Sequence, residues 1–464
     1  MMLLAATALA APAWEAQVEP IEDEGSGFTF LGVVQARGSA GNVVNTNPFF
    51  NGQVVGVLDG PNGTTVSDTD KAVTAEQRAV GFLSYRPLAL DGQAGLTAGF
   101  EVDFAWGDAA YGTGGNAGGG FGGDQVNLQT RRLHADFDGG PTHTIVGLQF
   151  VGDGVTDPTR APSLDALYRS GGRLMVWGSE AAGVQSFGTL ETLSWRVGAF
   201  TLVEGDFSQN DDVGLLMADV ELRPAPGLSV GVHGWHLRDR ANGQVGPTSA
   251  LSGLQGAALI DHPGTVVDAD LSWVGVDVGY DPSLSMGRVG AHGVVLTNLG
   301  RLYIEDEVDQ DISSVLVDLE GRARWAAGAG SLFRAELLYT GADFVTGNSY
   351  GVVGAVWGTH GTLLLHPDRM AINRSVSQYA DVSAGGAGMM SLSGSLGYDL
   401  VPNRLNVTLG GGHAVAGERS AQEGNLRLTA TPLPLLQVGV AGAYMARPDT
   451  DAWLVLTTLD WIVF

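Results

Sequence analysis

Nine charged side chains, spaced two apart within apolar stretches or standing alone among them, are the candidates for chemistry in this chain. They are Glu101, Asp103, Arg131, Arg196, Asp277, Arg322, Arg324, Arg334 and Glu336. Glu76, Arg78, Asp318 and Glu320 belong to the same class. Both signs occur, so the chemistry they offer is electrostatic: an enclosed surface made wettable, or made selective for what touches it. The mixture suggests a salt-laced wall rather than a one-sign funnel. The pairs Arg131-Arg132 and Arg322-x-Arg324 could form an electropositive ladder beside acidic neighbours.

Reactive chemistry finds little support. Gly347-Asn-Ser-Tyr-Gly351 fits the G-x-S-x-G pattern, but the strand–turn–helix context that makes such a serine a nucleophile is missing. His233 and His236 are three apart and fall on opposite faces of a strand, which spoils them as paired metal ligands. There is no H-E-x-x-H, and the single lysine, Lys71, stands outside any phosphate-cradling loop. The absence of cysteine removes disulfides, thiolate metal sites and cysteine nucleophiles together. No catalytic, cofactor-binding or metal-binding residue is therefore expected. One exception is a loop-bound Ca²⁺ or Mg²⁺, for which Glu305, Asp306, Glu307, Asp309 and Asp311, or Asp206 with Asp211 and Asp212, supply oxygen ligands without EF-hand spacing. The net charge of −26 argues against nucleic acid as a partner.

The elements that must position these residues are strands. Leu96, Ala98, Phe100, Val102, Phe104 and Trp106 share one face, and Thr97, Gly99, Glu101, Asp103 and Ala105 share the other. A run of this length suits a tilted membrane strand, expected at about 9–11 residues, better than a sandwich strand of about 5–6. The same alternation puts Val274, Val276, Val278 and Tyr280 opposite Trp273, Gly275 and Asp277. Leu193, Trp195 and Val197 stand opposite Ser194 and Arg196 in the same way. Further strands are expected at 315–324, 332–339, 390–398, 405–413 and 437–444. Seventy glycines, with 44% hydrophobic and 16% charged residues, fit a strand-and-turn chain.

Short links rich in proline and glycine, such as Arg223-Pro-Ala-Pro-Gly227 and Thr431-Pro-Leu-Pro434, fix turn dihedrals. Between them lie long polar stretches at 38–70, 107–124, 239–262, 300–311 and 340–379. Segment 151–172 is a further long connection, expected on the surface, with an infolded constriction loop as the alternative; Ser163–Arg169 could make a short helix capped by Ser163. Aromatics gather near strand ends, among them Tyr85, Trp106, Phe137, Phe150, Tyr280, Tyr339, Tyr398, Tyr444 and Trp461, as in interfacial girdles.

The expected fold is all-β: a transmembrane antiparallel up-and-down β-barrel of roughly 16–18 strands. Short turns would face the periplasm and long loops the exterior. The apolar start, Met1 to Trp14, with Ala11, Ala13 and Ala16 as small cleavage-site residues, is expected to be an export signal over 1–16. A short segment at 17–27 and the barrel at 28–464 follow. The final strand closes on Ile462-Val-Phe464, an ending that resembles the assembly signal of bacterial outer-membrane barrels.

Signal, period-two strands, alternating turn lengths and terminal Phe464 together resemble the porin and channel class of bacterial outer-membrane barrels. The Pro-containing turns are loosely similar to those of alginate-export barrels. This resemblance implies residence in the outer membrane of a Gram-negative bacterium and contact with outer-membrane lipids and lipopolysaccharide. It also implies insertion by the barrel-assembly machinery, and passive passage of small polar solutes or ions through a lumen lined by the nine charged residues. Export of an exopolysaccharide and a secreted β-rich adhesin are the alternatives.

Overall fold

The computed structural model describes residues 27–45, 64–87, 90, 93–107, 127–152, 178–203, 212–240, 266–280, 289–304, 309–328, 330–344, 361–365 and 388–463. The expected export signal, segment 153–172, Gly347–351, Asp206, Asp211, Glu305, Asp306, Glu307 and Phe464 lie outside these residues.

Strands dominate the described chain, and no helix among the described residues is long and apolar enough to cross a membrane. The first half of the chain contains β1 (Phe28–Gly41), β2 (Val43–Asn45), β3 (Thr64–Val66), β4 (Ala72–Tyr85), β5 (Ala94–Gly107), β6 (Asn127–Asp138), β7 (Thr142–Gly152), β8 (Gly178–Leu190), β9 (Leu193–Val203) and β10 (Val213–Ala225). The second half contains β11 (Leu228–Asp239), β12 (Val266–Tyr280), β13 (Val289–Ile304), β14 (Gln310–Arg324), β15 (Leu332–Thr340), β16 (Met389–Val401), β17 (Leu405–Ala416), β18 (Arg419–Leu433), β19 (Leu436–Ala446) and β20 (Ala452–Val463).

Eighteen of these strands form one antiparallel sheet, and β2–β3 is a separate hairpin. Each strand pairs with its neighbours along the chain, β1 crossing to β4, and the ring closes where Gly32 to Gly41 of β1 run opposite Val463 to Leu454 of β20. Closure gives each of the eighteen strands a neighbour on both sides, so the ring has no edge strand.

The sides of this ring differ in kind. In β10, Val213, Leu215, Met217, Asp219 and Glu221 are buried while Leu216, Ala218, Val220 and Leu222 are exposed. In a closed cylinder the occluded set faces inward. The exposed set is apolar on nearly every strand, with Leu, Val and Phe along its middle. Phe137, Tyr280, Tyr398 and Trp461 are exposed at the short-turn ends, and Tyr339 and Tyr444 at the opposite ends. Tyr85 stacks on Phe28 with ring centroids 4.3 Å apart. Trp106 and Phe150 lie in strands whose side chains are undescribed at those positions.

The predicted parity of connection lengths holds with exceptions. One end carries the tight links 139–141, 191–192, 226–227, 402–404 and 434–435. The other end carries 108–126, 153–177, 240–265 and 341–388, but also the two-residue turn Gly417-Glu418. The expected loop over 300–311 is corrected: β13 continues to Ile304 and β14 resumes at Gln310. Leu302 and Ile312 are buried on the inner face, and Arg301 bridges to Asp311 at 2.9 Å across the pair, so the alternation persists through polar sequence.

Candidate functional site

The inner wall divides along its height. Towards the loop end much of it is apolar: Leu215, Met217, Trp235, Leu237, Leu271, Trp273, Leu296 and Leu316 cluster with Phe344 and with Leu363, Leu364 and Leu365. Segment 361–365 belongs to the connection between β15 and β16, yet it lies against the inner faces of β16 to β18. The expectation of a polar inner surface holds best for the half nearer the short turns, although Asp239, Asn298, Thr340 and Glu423 are buried polar residues in the loop half.

A chain of ion pairs crosses that lower half over five consecutive strands. Arg196 of β9 donates through Nε and Nη2 to Asp219 Oδ2 of β10, at 2.8 and 2.6 Å. Asp219 Oδ1 accepts from Trp235 Nε1 at 2.9 Å and lies 2.8 Å from His233 Nδ1, both on β11. The other ring nitrogen of His233 lies 2.8 Å from Asp277 Oδ2 of β12, and His292 Nε2 of β13 lies 3.3 Å from Asp277 Oδ1. Both nitrogens of His233 thus face carboxylates, and both donate only in the imidazolium form.

Strand register places these groups. Asp219 stands directly opposite Arg196 on one side and His233 on the other. Asp277 stands opposite Gly231, where a Cβ would lie 1.7 Å from its Oδ2. Glycine there is a requirement of the ion-pair chain.

A second charged arc lies on β14 and β15. Asp318 and Glu336 are buried, and Glu320, Arg322, Arg324 and Arg334 are half-buried. Register sets Glu320 opposite Glu336 and Arg322 opposite Arg334. Like charges directly opposite repel. The alternation of sign along each strand puts an opposite charge on each diagonal, Glu320 towards Arg334 and Arg322 towards Glu336. The structure therefore gathers Arg322, Arg324, Arg334 and Glu336 on one wall, and Arg196 and Asp277 in the ion-pair chain.

Glu101 and Asp103 occupy the β5 positions opposite Val80 and Arg78 of β4. Arg131 takes a different place. Gly99 pairs with Arg132 and Phe100 with Thr130, so Arg131 is the extra residue of a bulge, and plain alternation does not assign its face. Ile462 pairs with Val33 in the closing seam.

Sequence reasoning passed over Asp136, Asp138, His143, Asp219 and Glu423. Asp136, Asp138 and His143 form the single group of metal-type ligands among the described residues, with ligand atoms within 4.8 Å of one another. Arg86 already provides the cation: it bonds Asp136 and lies 3.1 Å from Asp138, while His143 Nδ1 lies 2.6 Å from Asp138. Asp309 and Asp311, two of the candidate Ca²⁺ or Mg²⁺ ligands, both reach Arg301.

No family model and no curated protein matches the chain. Solved structures do. A BenF-like porin from Pseudomonas fluorescens Pf-5 aligns at 12% identity over 94% of this chain and 98% of its own, with a TM-score of 0.52. Pseudomonas aeruginosa OccK5 (OpdH) aligns at 11% identity over 94% and 98%, with a TM-score of 0.51. Pseudomonas aeruginosa OpdQ aligns at 8% identity over 96% and 99%, with a TM-score of 0.50. The chain shares the closed-barrel fold of these proteins.

Proposed function

We propose that the protein is an outer-membrane channel of a Gram-negative bacterium, passing small polar solutes or ions without chemistry. The observation that carries this reading is the opposite character of the two faces of a closed ring. The outer face is apolar and rimmed with aromatics, suited to lipid hydrocarbon and headgroups. The inner face carries charge that lipid could not tolerate. An 18-stranded ring also has the girth at which porins enclose an aqueous path. The fold shared with a BenF-like porin supports the same reading. A secreted adhesin would leave the apolar belt in water. Export of a polysaccharide is disfavoured by segment 361–365 inside the barrel. Insertion by the barrel-assembly machinery and contact with lipopolysaccharide belong to this proposal.

Purified protein in a planar bilayer should give discrete conductance steps. Arg322→Glu combined with Arg334→Glu should move the reversal potential in a salt gradient towards cations, because two fixed positive charges on the wall become negative. Absence of any conductance from heat-modifiable, folded protein would defeat the channel reading, and an unmoved reversal potential would remove this wall from the solute path.

A further inference from the structure

We propose that Glu423 is the positioning residue that holds segment 361–365 inside the barrel, as an anion clipped into the segment's own backbone. Three consecutive amides converge on it. Leu363 N donates to Oε1 at 2.6 Å, and Leu364 N and Leu365 N donate to Oε2 at 2.8 and 2.6 Å. Successive backbone N–H groups aimed at one point form an anion-binding concavity, and here the anion belongs to the protein. Asn425, two residues along the same inner row of β18, donates through Nδ2 to Gly361 O at 2.7 Å and to Glu423 Oε1 at 2.9 Å. The clip therefore grips both ends of the segment.

The wall beneath is cut to receive it. Gly410 on β17 lies so close that a Cβ there would sit 2.0 Å from Gly361 O. A Cβ at Gly412 would meet Leu365 Cδ2 and Thr362 Cγ2, each at 2.9 Å. Apolar packing of Leu363, Leu364 and Leu365 attracts the segment to the interior, but it is non-directional. The four donors on Glu423 fix the register. Only an acceptor on both oxygens fits: the amide of a glutamine would turn donors towards the backbone donors of one side.

That the segment's position sets the open cross-section rests on the channel reading above, whereas the clip itself does not. The chain contains no cysteine, so Leu364→Cys introduces its only thiol, at a fully buried position. With Glu423 in place, that thiol should react slowly with a small water-soluble thiol reagent in folded protein reconstituted in liposomes. Adding Glu423→Gln or Glu423→Ala should raise the rate about tenfold or more, since several charge-assisted hydrogen bonds are lost. Gly410→Ala should do the same with Glu423 intact, by overlap with Gly361. In a bilayer, the same three substitutions should enlarge or destabilise the conductance step. A thiol that reacts quickly in the Leu364→Cys protein, or a rate unchanged by both Glu423 substitutions in heat-modifiable protein, overturns the proposal. Raised thiol rates in a protein that never conducts would uphold the clip and defeat the channel.

Discussion

Asp219→Ala should be among the most damaging single substitutions in the barrel, costing about 3–5 kcal/mol of stability, the usual result of removing one partner from a buried ion pair. Asp219 is 1% exposed and receives Arg196 twice, His233 and Trp235. Its removal strands the Arg196 guanidinium, itself buried, beside His233, whose remaining carboxylate partner is Asp277. The large effect is the cost of leaving charge uncompensated and says little about the net worth of the pair. Asp311→Ala also breaks an ion pair with arginine, Arg301, but both partners there are exposed. Its effect should be indistinguishable from zero, as for most surface pairs. Urea unfolding in liposomes, followed by the heat-modifiable band, measures both. Equal midpoints for Asp219→Ala and wild-type protein would mean that water reaches and compensates the chain of ion pairs.

The barrel was legible because its main signal is local. Alternation over Leu96 to Trp106 depends on neighbours within one strand, and the pleat converts it directly into two faces. The same applies to Val274, Val276 and Val278 against Trp273 and Asp277. The strand ends at the loop side were less legible. Residues 300–304 look like loop because Gly300 opens them and the acidic run 305–311 follows, yet the buried Leu302 and the cross-strand bridge from Arg301 to Asp311 carry the ladder onward. Tertiary pairing outweighed local propensity there.

The site was legible in kind and less so in detail. Arg196 and Asp277 follow from alternation, but the group that joins them, His233, does not. Its role depends on register with Asp219 and Asp277, and register is a property of two neighbouring strands that periodicity in one cannot fix. Arg131 shows the opposite failure, where a single bulged residue breaks the count that facing depends on. Glu423 was invisible for a third reason. Its partners are backbone amides sixty or so residues away, and backbone carries no sequence signature. The usable signal was the run Gly410-Gly411-Gly412 on an inward strand, which marks close approach of another chain segment.

Phe100→Arg and Val276→Arg should each cost about 2–4 kcal/mol, the penalty for arginine on the lipid face near mid-bilayer. Phe100 is 46% exposed and Val276 48% exposed. In a protein surrounded by water, substitution at such exposed sites usually changes stability by less than about 0.5 kcal/mol. The predicted loss therefore comes from the solvent. Phe100 also covers Gly81, where a Cβ would sit 3.0 Å from its ring, so part of its effect is lost packing. Val276 avoids that ambiguity. It lies in a row with Val232 of β11 and Val295 of β13, all exposed on the outer face and directly opposite one another. Val220 of β10 continues the row. Four valines side by side facing outward have no energetic reason in water, and every reason in hydrocarbon. Glu418→Arg, in the exposed turn between β17 and β18, supplies the control and should leave the unfolding midpoint where it is. If Val276→Arg is as stable as Glu418→Arg when both are unfolded from liposomes, the outer face does not meet lipid and the membrane assignment is wrong.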